Sequence, residues 1–111
     1  MGQYHQVYNL TKKEYIHAHR IDNGLKLMEQ VGWIGSTSTA LFALLANSNG
    51  KGGGDFPKHP LIGTWAGDKI LIQGDYAGKG DPSYTNPEKL GEFKDISGSV
   101  LEMLKTIKAK Y

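Results

Sequence analysis

The stretch Gln3-Tyr4-His5-Gln6-Val7-Tyr8-Asn9-Leu10-Thr11-Lys12-Lys13-Glu14-Tyr15-Ile16-His17-Ala18-His19 decides the fold. Tyr4, Val7, Tyr8, Tyr15 and Ile16 are β-formers, and the polar group Thr11-Lys12-Lys13 interrupts them, so the segment predicts a β-hairpin. With the turn centred on Thr11-Lys12, Leu10 opposes Lys13, Tyr8 opposes Tyr15, Gln6 opposes His17 and Tyr4 opposes His19. Side chains alternate along a strand. Tyr4, Gln6, Tyr8, Tyr15, His17 and His19 therefore share one face, while His5, Val7, Ile16 and Ala18 share the other.

Beyond the hairpin, Asp22-Asn23-Gly24 is turn chemistry, and Leu25 to Gln30 are helix formers that stop near Gly32. The group Ser36-Thr37-Ser38-Thr39 offers caps for a second helix through Ala40-Leu41-Phe42-Ala43-Leu44-Leu45-Ala46. Apolar all round, that helix is expected at the centre of the core. The run Asn47 to Asp55 is a glycine-rich loop. Leu61-Ile62-Gly63-Thr64-Trp65 and Lys69-Ile70-Leu71-Ile72-Gln73 flank Ala66-Gly67-Asp68 and suggest a second hairpin. Residues 77–94, rich in Gly, Pro, Asp and Asn, read as a long loop or flap. Ile96, Val100, Met103, Leu104 and Ile107 then recur at helical spacing behind a cap at Asp95 or Ser97.

These elements predict one α+β domain over residues 1–111: an antiparallel sheet from two β-hairpins, packed against a buried central helix and a C-terminal amphipathic helix. Trp33, Trp65, Leu41, Phe42, Leu45, Ile70, Ile72, Val100 and Leu104 are the expected core. With 39% hydrophobic and 22% charged residues, the 111-residue chain has the composition of an ordinary globular domain. It has no cysteine, which excludes disulfide and Cys-zinc scaffolds. The net charge of +2 is too near neutral to argue for a nucleic-acid or anionic-membrane partner, and nucleic acid is not the expected partner. The longest apolar run, Ala40 to Ala46, is far short of the roughly 20 residues needed to cross a bilayer, so no membrane partner is expected. The N-terminus lacks the basic and apolar regions of a secretory signal, which points to a cytoplasmic protein.

Candidate chemistry is sparse. A phosphate loop opens a helix, whereas the glycines at 50–54 follow one and meet its carbonyl end. That end, with Asn47, Asn49 and Asp55, suits a hard cation better, although the terminal Glu of an EF-hand is missing. A helix cap followed by an ordinary loop explains the same residues. Together with Trp65, Asp68, Asp75 and Tyr76 these residues form the candidate ligand site, for a small molecule, a nucleotide or a metal. His17 and His19 lie two apart on one strand face, a spacing that holds Zn²⁺ if further ligands arrive from elsewhere. Paired histidines also occur in strands that bind nothing. No Gly-x-Ser-x-Gly elbow is present, and the serines lie in caps or loops. Asp55, Asp68 and Asp75 are the carboxylates available for acid–base work, and both Asp68 and Asp75 also fit purely local turn and strand-end roles. Tyr4, Tyr8 and Tyr15 could stack bases of a single strand, although Glu14 offsets the flanking Lys12, Lys13 and Arg20. The sequence names no cofactor.

Gly2-Gln3-Tyr4-His5, Asn9-Leu10-Thr11-Lys12-Lys13-Glu14-Tyr15, Gly24-Leu25-Lys26-Leu27, Thr39-Ala40-Leu41 through Asp55, Gly63-Thr64-Trp65-Ala66-Gly67-Asp68-Lys69-Ile70 through Ala77, and Lys94-Asp95-Ile96-Ser97 together resemble a family of small uncharacterised proteins of phage and prokaryotic genomes. Asp22-Asn23-Gly24 stands where that family carries Gly-Asp-Gly, a change a turn tolerates. No activity or catalytic residue comes with the resemblance. What it implies is context: a phage or mobile-element protein that binds and modulates a host protein or a defence component. An exposed edge strand in so small a sheet also allows a homo-oligomer.

Overall fold

In the computed structural model, residues 4–46, 59–74, 78 and 92–110 are described. Strand β1 (His5–Asn9) pairs antiparallel with β2 (Glu14–Ile16), setting Tyr8 opposite Tyr15 and Val7 opposite Ile16. The alternation of the sequence drives this: Val7 and Ile16 turn one face inward, where both are fully buried. Asn9 shapes the connection, because its Oδ1 accepts from the amides of Thr11 and Lys12 at 2.9 and 2.8 Å, and Lys13 takes a left-handed φ of 55°.

The expected pairings of Gln6 with His17 and Tyr4 with His19 do not form. Past Ile16 the chain leaves the sheet and winds into a 3-10 turn, Ala18–Ile21, and the His17 amide donates instead to Ser97 Oγ at 2.7 Å. A second 3-10 turn, Leu27–Gln30, replaces the short helix expected over 25–30. It is tied to β1 through Gln30, whose Nε2 donates to the carbonyls of His5 and Leu25 at 3.0 and 3.1 Å.

Helix α1 (Thr37–Leu45) is capped by Ser36, and the buried Asn23 clips its first turn to the preceding segment. Asn23 Oδ1 accepts from the Thr37 amide at 2.8 Å, while its Nδ2 donates to Ile21 O at 2.8 Å. The helix is not buried all round. Thr37, Ala40, Ala43 and Leu44 face the core, and Phe42 points off that stripe to 75% exposure.

No second hairpin forms either. Residues 60–67 are consecutive turns, closed by bonds such as Thr64 N to Leu61 O and Ala66 N to Gly63 O, and they finish α1: Gly63 N and Trp65 N donate to Ala43 O and Leu44 O at 3.0 and 2.9 Å. Strand β3 (Ile70–Gly74) pairs with β1, and β4 (Lys94–Asp95) runs parallel to β2. The sheet order is β3-β1-β2-β4, mixed rather than wholly antiparallel. Of the expected loop 77–94, Lys94 thus belongs to the sheet, and residues 79–91 lie outside the described residues.

Helix α2 (Ser97–Lys110) lies against the inner face of the sheet and buries Val100, Met103, Leu104 and Ile107 beside Val7, Ile16, Ile21, Leu44 and Trp65. Trp33, Phe42 and Ile72, expected in the core, are exposed, and Leu41, Leu45 and Ile70 pack only partly against it. Ile72 shares the face of Val7 but sits on the outermost strand, where that face is not fully covered.

Candidate functional site

Large apolar side chains crowd the surface between the second 3-10 turn and α1. Met28 is 70% exposed, and Leu27, Val31, Trp33 and Ile34 lie between 36% and 50%. The backbone explains why they stand outward. Gly32 and Gly35, at φ 95° and 102°, turn the chain on either side of Trp33-Ile34, and neither conformation suits a residue with a Cβ. The Trp33 carbonyl accepts from the Ser36 amide at 3.1 Å and from Thr39 Oγ1 at 3.0 Å, so the N-terminus of α1 holds the loop in place. The indole folds back, donating from Nε1 to Glu29 O at 3.4 Å, and this joins Trp33 to the turn carrying Leu27 and Met28.

Lys108 of α2 completes this surface. Its Nζ stands 5.9 Å from the Trp33 ring centroid, and its stem lies so close to Gly35 that an added Cβ there would fall 2.6 Å from Lys108 Cδ. Glu29, within the strip, turns its carboxylate back onto the Lys26 amide at 3.1 Å. A further apolar feature lies on α1, where Leu41, Phe42, Leu45 and Ala46 line an open hollow of about 350 Å³. With almost no polar lining to orient a small ligand, it fits an apolar side chain better than a metabolite.

Asn47, Asn49, Asp55, Asp75 and Tyr76 lie outside the described residues. Trp65 is fully buried, its Nε1 donating to Glu14 Oε1 at 2.7 Å, so its indole serves the core. Asp68 follows that run of turns and is taken up by β1 and its turn: Asn9 Nδ2 donates to Asp68 Oδ2 at 2.8 Å, and Lys12 pairs with the same oxygen. Those two hydrogen bonds, Lys12 first, hold the Asp68 carboxyl below its ordinary value.

The rings of His17 and His19 lie 5.8 Å apart. Among the described residues no group of three or more His, Asp or Glu side chains comes together in a way that could hold a metal ion. His17 is pulled below the usual histidine range, by burial first and then by the charge of Arg20 and by His19. Its Nδ1 is enclosed without a hydrogen-bond partner, as is that of His5. Arg20 itself pairs with Asp95.

On the outer face of the sheet Tyr8 stacks on Tyr15 at 6.0 Å, and Phe93, which sequence reasoning left in a loop, meets Tyr8 edge-on at 5.9 Å. Burial, and then Tyr15, raise the Tyr8 phenol above its ordinary value. Lys12 pairs with Asp68, and Lys13 reaches Glu92 at 3.5 Å, so two of the cations a nucleic-acid strand would need there already have carboxylate partners. No helix among the described residues is long and apolar enough to cross a membrane. Comparison of the chain with protein-family models, with curated proteins and with solved structures finds no match.

Proposed function

We propose that the chain is a small non-enzymatic binding or modulator protein, carried by a phage or mobile element, that acts on a host protein or a defence component. The observation supporting a binding role is the run of exposed Leu27, Met28, Val31, Trp33 and Ile34. Isolated apolar side chains are normal on a soluble surface, whereas a contiguous group rimmed by polar residues marks an interaction site. A tryptophan and a methionine suit such a surface, one as a rigid anchor and the other as an adaptable contact. The host and phage context rests on the sequence resemblance alone.

Quantitative capture from a lysate of the host tests this reading, with the wild-type chain set beside a Met28→Asp/Ile34→Asp variant. Both positions are exposed, so the variant is expected to keep its fold, which its thermal melt checks. A partner retained by the wild type and reduced about tenfold or more by the variant is expected. Equal capture by both chains would contradict a partner site at this surface.

A further inference from the structure

The strip is apolar at its centre and positively charged at its margins. Lys26 adjoins Leu27, and Lys108 stands over the Trp33 ring. Lys105 lies one turn earlier on α2 and is likewise exposed. Among the described residues the ion pairs are Lys12 with Asp68, Lys13 with Glu92 and Arg20 with Asp95, so Lys26, Lys105 and Lys108 have no carboxylate partner there. The acid within the strip, Glu29, is engaged with the Lys26 backbone amide.

We infer that the occupant of this surface is an acidic amphipathic protein segment, whose apolar side chains cover Met28, Trp33 and Ile34 while its carboxylates meet Lys26 and Lys108. The inference rests on the binding role proposed above and names the chemistry of the partner. Charge complementarity selects this occupant. A second copy of the chain would bring the same lysines against themselves, and a basic segment would be repelled at the Lys108 margin, whereas at the other margin the Glu29 carboxylate partly offsets Lys26.

The test uses two synthetic helical peptides with the same leucine and phenylalanine positions, one with glutamate and the other with lysine at the remaining sites. Binding is followed by NMR through the two indole N–H signals. Trp33 reports on the surface, and Trp65, buried on Glu14, reports that the fold is intact. The expected result is that the acidic peptide shifts Trp33 and the amides of residues 27–34, with about tenfold higher affinity than the basic one. A Lys26→Glu/Lys108→Glu variant should reverse that preference while leaving Trp65 unmoved.

Equal binding of both peptides at the strip would overturn the charge assignment and leave the binding role standing. Shifts at residues 27–34 that depend on the concentration of the protein alone would make a second copy the occupant. Shifts with phosphatidylglycerol-containing vesicles but with neither peptide would make it an anionic lipid surface. Either result overturns the proposal, and so does the absence of any shift at the strip with the acidic peptide. Failure of the binding role itself is read separately, from lysate capture by the Met28→Asp/Ile34→Asp variant.

Discussion

Asn9 is fully buried, and both ends of its amide are used. Its oxygen receives the amides of Thr11 and Lys12, and its nitrogen donates to Asp68, so one side chain joins the β1–β2 turn to the residues entering β3. Asn9→Ala removes all three bonds, which should cost about 1–3 kcal/mol in denaturant unfolding. Loss of less than half a kcal/mol would show that the amide is not the joint described. His17 gives a second prediction at this scale. Its folded pKa lies below the ordinary 6.5, so the unfolded chain takes up a proton that the folded chain refuses. Stability should therefore fall as pH drops from about 6.5 toward the lower folded value and level off beneath it, and His17→Gln should flatten that slope in thermal melts. Asp68 acts in the same direction at lower pH. Its stabilising contribution, present above the ordinary 3.8, is lost as pH falls through the depressed folded value.

At the scale of elements, the end of α1 depends on Gly63. Its φ is 82°, and an added Cβ would lie 2.8 Å from the Ala46 carbonyl oxygen, an atom of backbone that cannot swing away. Gly63→Ala should cost about 1–3 kcal/mol, measurable by urea titration, whereas Gly67→Ala, at φ 81° but in open space, should cost less. Equal costs would assign the whole effect to φ.

The same elements show how much of the fold was legible in the sequence. The mixture of α and β could be read from periodicity, because Val7 and Ile16 alternate with polar neighbours and Val100, Met103, Leu104 and Ile107 recur at helical spacing. The use of Leu61 to Trp65 could not, since a run of β-formers says nothing about the orphan carbonyls of a helix end lying far from it in sequence. Those carbonyls draw the Gly63 and Trp65 amides into turns. Phe42 was misplaced for a related reason. A helix with apolar residues on every side carries no pattern to say which side is covered, and neighbouring elements decide it. The strip was legible only as helix formers followed by Gly32-Trp33-Ile34-Gly35. Its exposure comes from two left-handed glycines and the anchoring of the Trp33 carbonyl to α1, none of which leaves a periodic trace.

Across the whole molecule, the described residues divide into a buried interior and an apolar surface concentrated at 27–34, with a separate apolar hollow on α1. Val7, Ile16, Trp65 and the inner face of α2 close the interior, where Asn9, Asn23, Gln30 and Ser97 have hydrogen-bond partners and the Nδ1 atoms of His5 and His17 have none among the described residues. The strip at 27–34 is pinned by Gln30 to β1 and by Trp33 to α1 and α2.

The proposed meeting of this strip with another protein has a direct test. The most direct measurement places a photo-crosslinking amino acid at Met28 in one version of the chain and at the exposed Glu102 of α2 in another, each irradiated in cells that carry the protein. A discrete heavier adduct is expected from position 28 and none at that mass from position 102. No adduct from 28, or the same adducts from both positions, would contradict it.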